Sequence, residues 1–305
     1  MKHGFIKVAA ASPVIKVADA DYNAGRIIEC IKDAREKGVK LLVFPELSIT
    51  GCSCYDLIGH RILLDGAKEA LLKIVKATAG MDMLVFVGLP VAVGSRLYSC
   101  AAAVCGGELL ALVPRTHVKG SHFAEPDEEA VEVVIGGESI PVFTDILFEN
   151  QLVPGFSAAV ELGADMDAIT PPSLCHALSG ATVIAQMASF PETVSSTDEA
   201  ELNCRFMSRR LSCGMVMAAP GKGESSTDNV YSGLCLVAEN GEILSRDERE
   251  NSLAISELDI EYLMNLRRAS GEFDLGDYPH IICPWGVKEE VTQLTRSIPR
   301  HPHLP

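Results

Sequence analysis

The sequence predicts an α/β domain of roughly 270 residues, in which parallel strand–helix–strand units share their sheets with antiparallel hairpins. Two observations carry the parallel part: short apolar runs at 5–11, 40–44 and 83–87, and a helix-period pattern between each successive pair. A third carries the antiparallel part: apolar runs meet across Gly106-Gly107 and again across Asn240-Gly241, dipeptides that suit tight hairpin turns. One mixed sheet, or two sheets covered by helices, accommodates both.

The elements follow in order. Residues 5–11 read as a buried strand because their apolar run is nearly unbroken. Asp19 is a plausible N-cap, after which Ala24, Ile27, Ile28, Ile31 and Ala34 line one helix face that Gly38 ends. A short strand at 40–44 is stopped by Pro45-Glu46, and Ala67, Ala70, Leu71, Ile74 and Val75 mark a second helix closed by Gly80. Strands are expected at 83–87, 97–105 and 108–113, then an irregular acidic excursion from Thr116 to Gly137. The remainder reads as strands at 141–148, 155–160, 181–188, 213–219, 231–238, 242–245 and 252–258, with helices at 172–179, 199–211 and 260–268. Pro279, Pro284, Pro299, Pro302 and Pro305 fall where periodicity is lost. The domain is therefore set at 1–276 and a Pro-rich tail or linker at 277–305, with Trp285 packing back on the domain.

Composition narrows the partners. Lys and Arg number 26 against 41 Asp and Glu, a net charge of −15. That field repels phosphate backbones and anionic lipid, so neither nucleic acid nor a membrane surface is expected to bind. No apolar run reaches the roughly 20 residues of a bilayer span, and the start reads as a strand instead of a signal peptide; a cytoplasmic protein is expected. Ten cysteines without a Cys-x-x-Cys read as buried reduced thiols, and His117 and His122, five apart, do not form a zinc spacing. No metal site is expected.

Two residues suit chemistry by position. Glu46 ends a buried strand directly after a proline, where side chains line the crevice outside the carboxyl ends of strands. A partly desolvated carboxylate there suits general-base work, though an N-cap or a loop salt bridge would place it equally well. Arg115 follows Pro114 at another strand end and could stabilise an oxyanion or pair with Glu46. The Gly-rich phosphate loop, the dinucleotide fingerprint and the Gly-x-Ser-x-Gly elbow are all absent. These residues supply a fold class and a crevice carboxylate, not a reaction.

At Phe44-Pro45-Glu46-Leu47 the chain resembles the nitrilase, or carbon–nitrogen hydrolase, superfamily. Within it, Gly51-Cys52-Ser53-Cys54-Tyr55-Asp56-Leu57, Val87-Gly88-Leu89-Pro90, Leu97-Tyr98-Ser99-Cys100-Ala101, Pro171-Pro172-Ser173 and Gly223-Glu224-Ser225-Ser226-Thr227-Asp228 are similar to the glutamine-hydrolysing domain of glutamine-dependent NAD synthetase. The resemblance covers about 5–268 and implies a four-layer αββα sandwich with two mixed sheets. It implies a Glu-Lys-Cys triad that releases ammonia from glutamine. ATP and nicotinate adenine dinucleotide would bind a separate synthetase domain, so no cofactor is expected in this chain. A homo-oligomer, an NAD synthetase domain or protein, and glutamine or a small amide are the implied partners.

Carried over position by position, the triad is incomplete. Glu46 matches the general base, Val113-Pro114-Arg115 carries Arg where the family has Lys, and Val160-Glu161-Leu162-Gly163-Ala164-Asp165 carries Gly163 where the nucleophilic Cys belongs. Ala164 replaces the following carboxylate, Cys52 stands at an aromatic position, and Ser121-His122-Phe123-Ala124 replaces a Tyr-x-Glu-Phe segment. The resemblance makes Cys52, Ala164 and Ser189 substrate-contact positions. Glycine cannot form an acyl-enzyme, so the amidase is expected to be lost while the fold persists. Displaced thiols such as Cys54 or Cys175 are poor substitutes because attack geometry is exacting, and Arg115 is expected to pair bidentately with Glu46. A structural, regulatory or ligand-binding subunit is then expected; the alternative is an active amidase or glutaminase using a non-standard nucleophile.

Overall fold

The computed structural model describes residues 4–118, 120, 122–127, 129–273, 278–286 and 294–296. In chain order the first half contains β1 (Phe5–Ser12), α1 (Ala20–Glu36), β2 (Leu41–Val43), α2 (Arg61–Ala77), β3 (Leu84–Val93), β4 (Arg96–Cys105), β5 (Glu108–Pro114), β6 (Val131–Ile135) and β7 (Glu138–Val142). The second half contains β8 (Ile146–Asn150), β9 (Ser157–Leu162), α3 (Pro172–Leu178), β10 (Val183–Met187), α4 (Ser196–Arg210), β11 (Gly214–Ala218), β12 (Cys235–Glu239), β13 (Glu242–Asp247), β14 (Ser252–Asp259), α5 (Ile260–Ser270) and β15 (Ile281–Trp285). An eight-stranded sheet runs β14-β1-β2-β3-β4-β5-β7-β6, and a seven-stranded sheet runs β13-β12-β11-β10-β9-β8-β15. Both are mixed: β1, β2 and β3 are parallel neighbours, as are β9, β10 and β11, while β3-β4-β5 and β11-β12-β13 are antiparallel.

Burial on both faces explains the unbroken apolar strands. In β1, Ile6, Val8 and Ala10 join a core between the two sheets, while Ala9 and Ala11 join a second core beneath α1 and α2. The same alternation in β9 sends Val160 and Leu162 between the sheets and Ala159 toward a third core under α3 and α4. Helix, sheet, sheet, helix is the resulting order of layers, the sandwich that the family resemblance implied. The first strand also pairs with a distant one, β1 with β14 in the register Phe5↔Asp259 to Ser12↔Ser252.

Asp19 caps α1, its Oδ1 accepting from the Tyr22 N–H at 3.1 Å. Asp19→Ala is expected to lower stability by about 1 kcal/mol, read as a fall in the urea midpoint, because one helix N–H loses its partner. An unchanged midpoint would mean that water replaces the cap fully.

Three expectations are corrected. The stretch at 141–148 is not one strand: β7 ends at Val142 in the first sheet and β8 begins at Ile146 in the second, so 143–145 carries the chain between sheets. Apolar residues on both sides of Thr144-Asp145 concealed the step, because both strands are core-facing. The acidic excursion contains β6, whose Val133 and Ile135 face the core while Glu132 and Val134 face solvent. Finally, 281–285 is not tail but β15, an edge strand parallel to β8. Pro284 is tolerated there because an edge strand need not donate on its outer side. Trp285 anchors it, stacking edge-on against Phe156 at 5.4 Å and donating its indole N–H to the Phe148 carbonyl at 3.1 Å. Residues 277, 287–293 and 297–305 of the expected tail lie outside the described residues.

Candidate functional site

Glu46, Arg115 and Gly163 come together although they lie far apart in sequence. Glu46 follows β2 and is buried; its N–H donates to the Ala188 carbonyl at 3.2 Å, beyond the end of β10. Gly88 on β3 makes this approach possible. A Cβ there would overlap the Leu47 nitrogen and lie 2.7 Å from the Pro45 carbonyl oxygen, so only glycine lets the 45–47 backbone lie this close. Ser48 returns the contact, its Oγ accepting from the Gly88 N–H at 3.1 Å.

The Glu46 carboxylate accepts from Ser99 Oγ at 2.6 Å and from Arg115 Nη1 at 3.5 Å, both on Oε1. Oε2 has no protein hydrogen-bond partner among the described residues. Arg115 turns its Nε–H to the His117 carbonyl at 2.9 Å, so it meets Glu46 through one nitrogen and not as the bidentate fork expected. Gly163 opens a tight 3₁₀ turn just after β9 with φ +54°, a left-handed conformation that disfavours any side chain. A Cβ at 163 would overlap Glu46 Oε2 and lie 3.0 Å from Arg115 Cζ and Nη1. The carboxylate and guanidinium therefore occupy the space beside Gly163.

Around this group, Asp165 fastens two segments. Its carboxylate accepts from the N–H groups of Thr116 (3.2 Å), His117 (2.7 Å) and Leu162 (3.1 Å), tying the Arg115 loop to the turn at Gly163. Gln186 donates to the Gly163 carbonyl at 3.1 Å. Glu161 faces away, toward the helix layer, where burial pushes its carboxyl up to about 8 and Asp165 adds to the rise. The remaining predicted positions are peripheral. Cys52 donates both N–H and S–H to Glu224 Oε1, and burial, with Glu224 second, holds its thiol well above the usual range. Ala164 is exposed on the turn, and Ser189 is half-buried next to Ala188. Ser121 lies outside the described residues.

Burial raises all ten thiols, Cys54 to about 11 and Cys204 and Cys213 to about 12. Ser99, Gln186, Asp165 and Glu224 were not singled out from sequence as site residues. Ser99 and Glu224 sit in blocks that carry the family resemblance, which was the signal available. His117 and His122 do not join a ligand cluster; among the described residues, Asp145, His176 and His280 form such a set.

Residues 7–268 match the carbon–nitrogen hydrolase family. Glutamine-dependent NAD(+) synthetase of Mycobacterium bovis is 33% identical over 283 residues, covering 90% of this chain and 42% of that protein. The Mycobacterium leprae enzyme of the same name is 30% identical over 281 residues, covering 89% and 41%. The chain thus spans about two fifths of the length of these relatives. Among solved structures, a glutamine-dependent NAD(+) synthetase from Cytophaga hutchinsonii superposes with TM-score 0.73 at 21% identity, covering 83% of this chain and 43% of that one. A nitrilase superfamily member from Saccharomyces cerevisiae superposes at 0.65 and 17%, covering 87% and 94%. With its sandwich fold and its match across most of its length, the chain belongs to the carbon–nitrogen hydrolase family.

Proposed function

We propose that this chain is a non-catalytic carbon–nitrogen hydrolase domain that acts as a structural or regulatory subunit, its partner an ammonia-dependent NAD synthetase protein or domain. The observation that carries the reading is the filled space at Gly163: Glu46 and Arg115 occupy the volume a nucleophile's Cβ would need. Acyl transfer in this family's chemistry needs a sulfur there, a base to deprotonate it and a cation to hold the developing charge. Glu46 retains the base's position, Arg115 substitutes for the lysine with a planar fork in place of a compact charge, and Gly163 supplies no bond-forming atom. Raised thiols elsewhere speak against a substitute, since the thiolate is the reactive form.

The test is a paired measurement on purified protein. Ammonia release from glutamine is expected to stay at the uncatalysed background, and the protein is expected to co-elute with an ammonia-dependent NAD synthetase. Turnover above background, together with a cysteine labelled by a glutamine-directed electrophile, would establish an active amidase with a non-standard nucleophile. Failure to co-elute would remove the synthetase as partner.

A further inference from the structure

Three side chains from three elements converge at the start of β8 and β15. Asp145 directly precedes β8, His280 directly precedes β15, and His176 projects from α3. The two strands are locked in parallel register by Ile281↔Ile146, and the Ile281 N–H donates to the Asp145 carbonyl at 2.8 Å. His176 Nδ1 and His280 Nε2 face each other at 2.8 Å, and His280 Nε2 lies 3.9 Å from Asp145 Oδ1. One donor atom from each residue falls within 4.8 Å of the other two. Both imidazole side chains are nearly sealed from solvent, His176 at 1% exposure and His280 at 3%, whereas the Asp145 side chain is 44% exposed.

We propose that Asp145, His176 and His280 bind a divalent transition-metal ion of the zinc type, which clasps β15 onto the second sheet. Two imidazole nitrogens and one carboxylate oxygen are the donors that borderline cations such as Zn²⁺ select, and magnesium or calcium would favour oxygen alone. Donor atoms at about 2.1 Å from a tetrahedral zinc stand roughly 3.4 Å apart. The histidine pair has to open slightly, and the half-exposed Asp145 side chain has room to swing inward. Water takes the fourth position.

The surrounding contacts orient the ligands. His280 Nδ1 lies 3.0 Å from the Tyr278 carbonyl, which also accepts from Ser179 Oγ at 2.7 Å, at the end of α3. That hydrogen-bond network assigns the proton to Nδ1 of His280 and leaves Nε2 as an acceptor, the outer-shell arrangement that metal-binding histidines adopt. His176 then holds its proton on Nδ1, toward His280. Metal binding at that nitrogen requires the His176 proton to sit on Nε2 instead.

The test uses full-length protein stripped with chelator and titrated with Zn²⁺ by calorimetry and with Co²⁺ by visible absorption. One equivalent is expected, with a d–d band of tetrahedral nitrogen–oxygen coordination and no thiolate charge-transfer band. His280→Ala and Asp145→Ala are each expected to weaken binding by at least about 10-fold. Circular dichroism confirms that these variants fold; His176→Ala, at a buried position, is left aside. Added Zn²⁺ is also expected to slow hydrogen exchange of the Ile281, Ile282, Cys283 and Trp285 amides in the wild type but not in His280→Ala. Binding that is undiminished in His280→Ala, a spectrum dominated by thiolate, or no uptake of either metal would overturn the proposal.

Discussion

Gly163→Ala is expected to destabilise the protein by about 3 kcal/mol, of which about 1–2 comes from forcing a Cβ into the left-handed region and the rest from overlap with Glu46. The backbone at 163 has φ +54°, and the new methyl would meet Glu46 Oε2 and the Arg115 guanidinium. Urea unfolding reads the loss as a lower midpoint with an unchanged slope. Glu46→Ala in the same chain clears the overlap but not the backbone strain, so the double variant is expected to show a favourable coupling of at least about 1 kcal/mol. A neutral Gly163→Ala would mean the pocket is open and the reading of a closed site is wrong. By the same logic, Gly163→Cys with Arg115→Lys is expected to recover at most weak ammonia release from glutamine. The sulfur returns, but Ala164 and Cys52 still stand where the family has other residues. Full recovery would show that little beyond the triad had changed.

Glu161→Gln is expected to raise stability, by up to about 3 kcal/mol at pH 7. Burial lifts the folded-state pKa from 4.5 to about 8, with the Ser173 N–H at 3.2 Å on Oε2 opposing the rise. Below pH 4.5 both states hold the proton and the group has no pH-dependent effect. Between 4.5 and about 8 the unfolded chain releases its proton while the folded one keeps it, so this group lowers stability as pH rises. Glutamine removes that slope while keeping the shape. Chemical denaturation of both proteins from pH 5 to 8 is expected to give curves that diverge steadily, the variant pulling ahead toward alkaline pH. Parallel curves would place Glu161 in contact with water or a cation.

Most of the architecture was legible in the residues because most strands are buried on both faces and most helices carry one apolar stripe. Asp19 and the two glycine hairpins marked their turns through local hydrogen bonding and positive φ, both properties of single residues. What sequence concealed were events between elements. In 141–148 only the pair Thr144-Asp145 marks the step from one sheet to the other, since the residues on either side meet the same apolar demand. The strand at 281–285 was hidden by Pro284, which only its edge position makes harmless. At the site, Glu46 and Arg115 were picked out by their positions after strand-ending prolines and Gly163 by family resemblance, but their mutual geometry depends on Gly88 admitting a backbone and on Asp165 binding two loops. Such contacts are set by packing across the sequence, and no local pattern records them.

The pairing of β1 with β14 bears on how the polypeptide emerges from the ribosome. Residues 5–12 are synthesised long before residues 252–259, which complete their outer hydrogen-bonding edge. Until residues 252–259 emerge that edge is bare, and an unpaired strand is a template for joining other nascent chains. Pairing of β1 with β14 is therefore a long-range event, slow by its topology, and protection of this edge rests on how soon the later strand arrives.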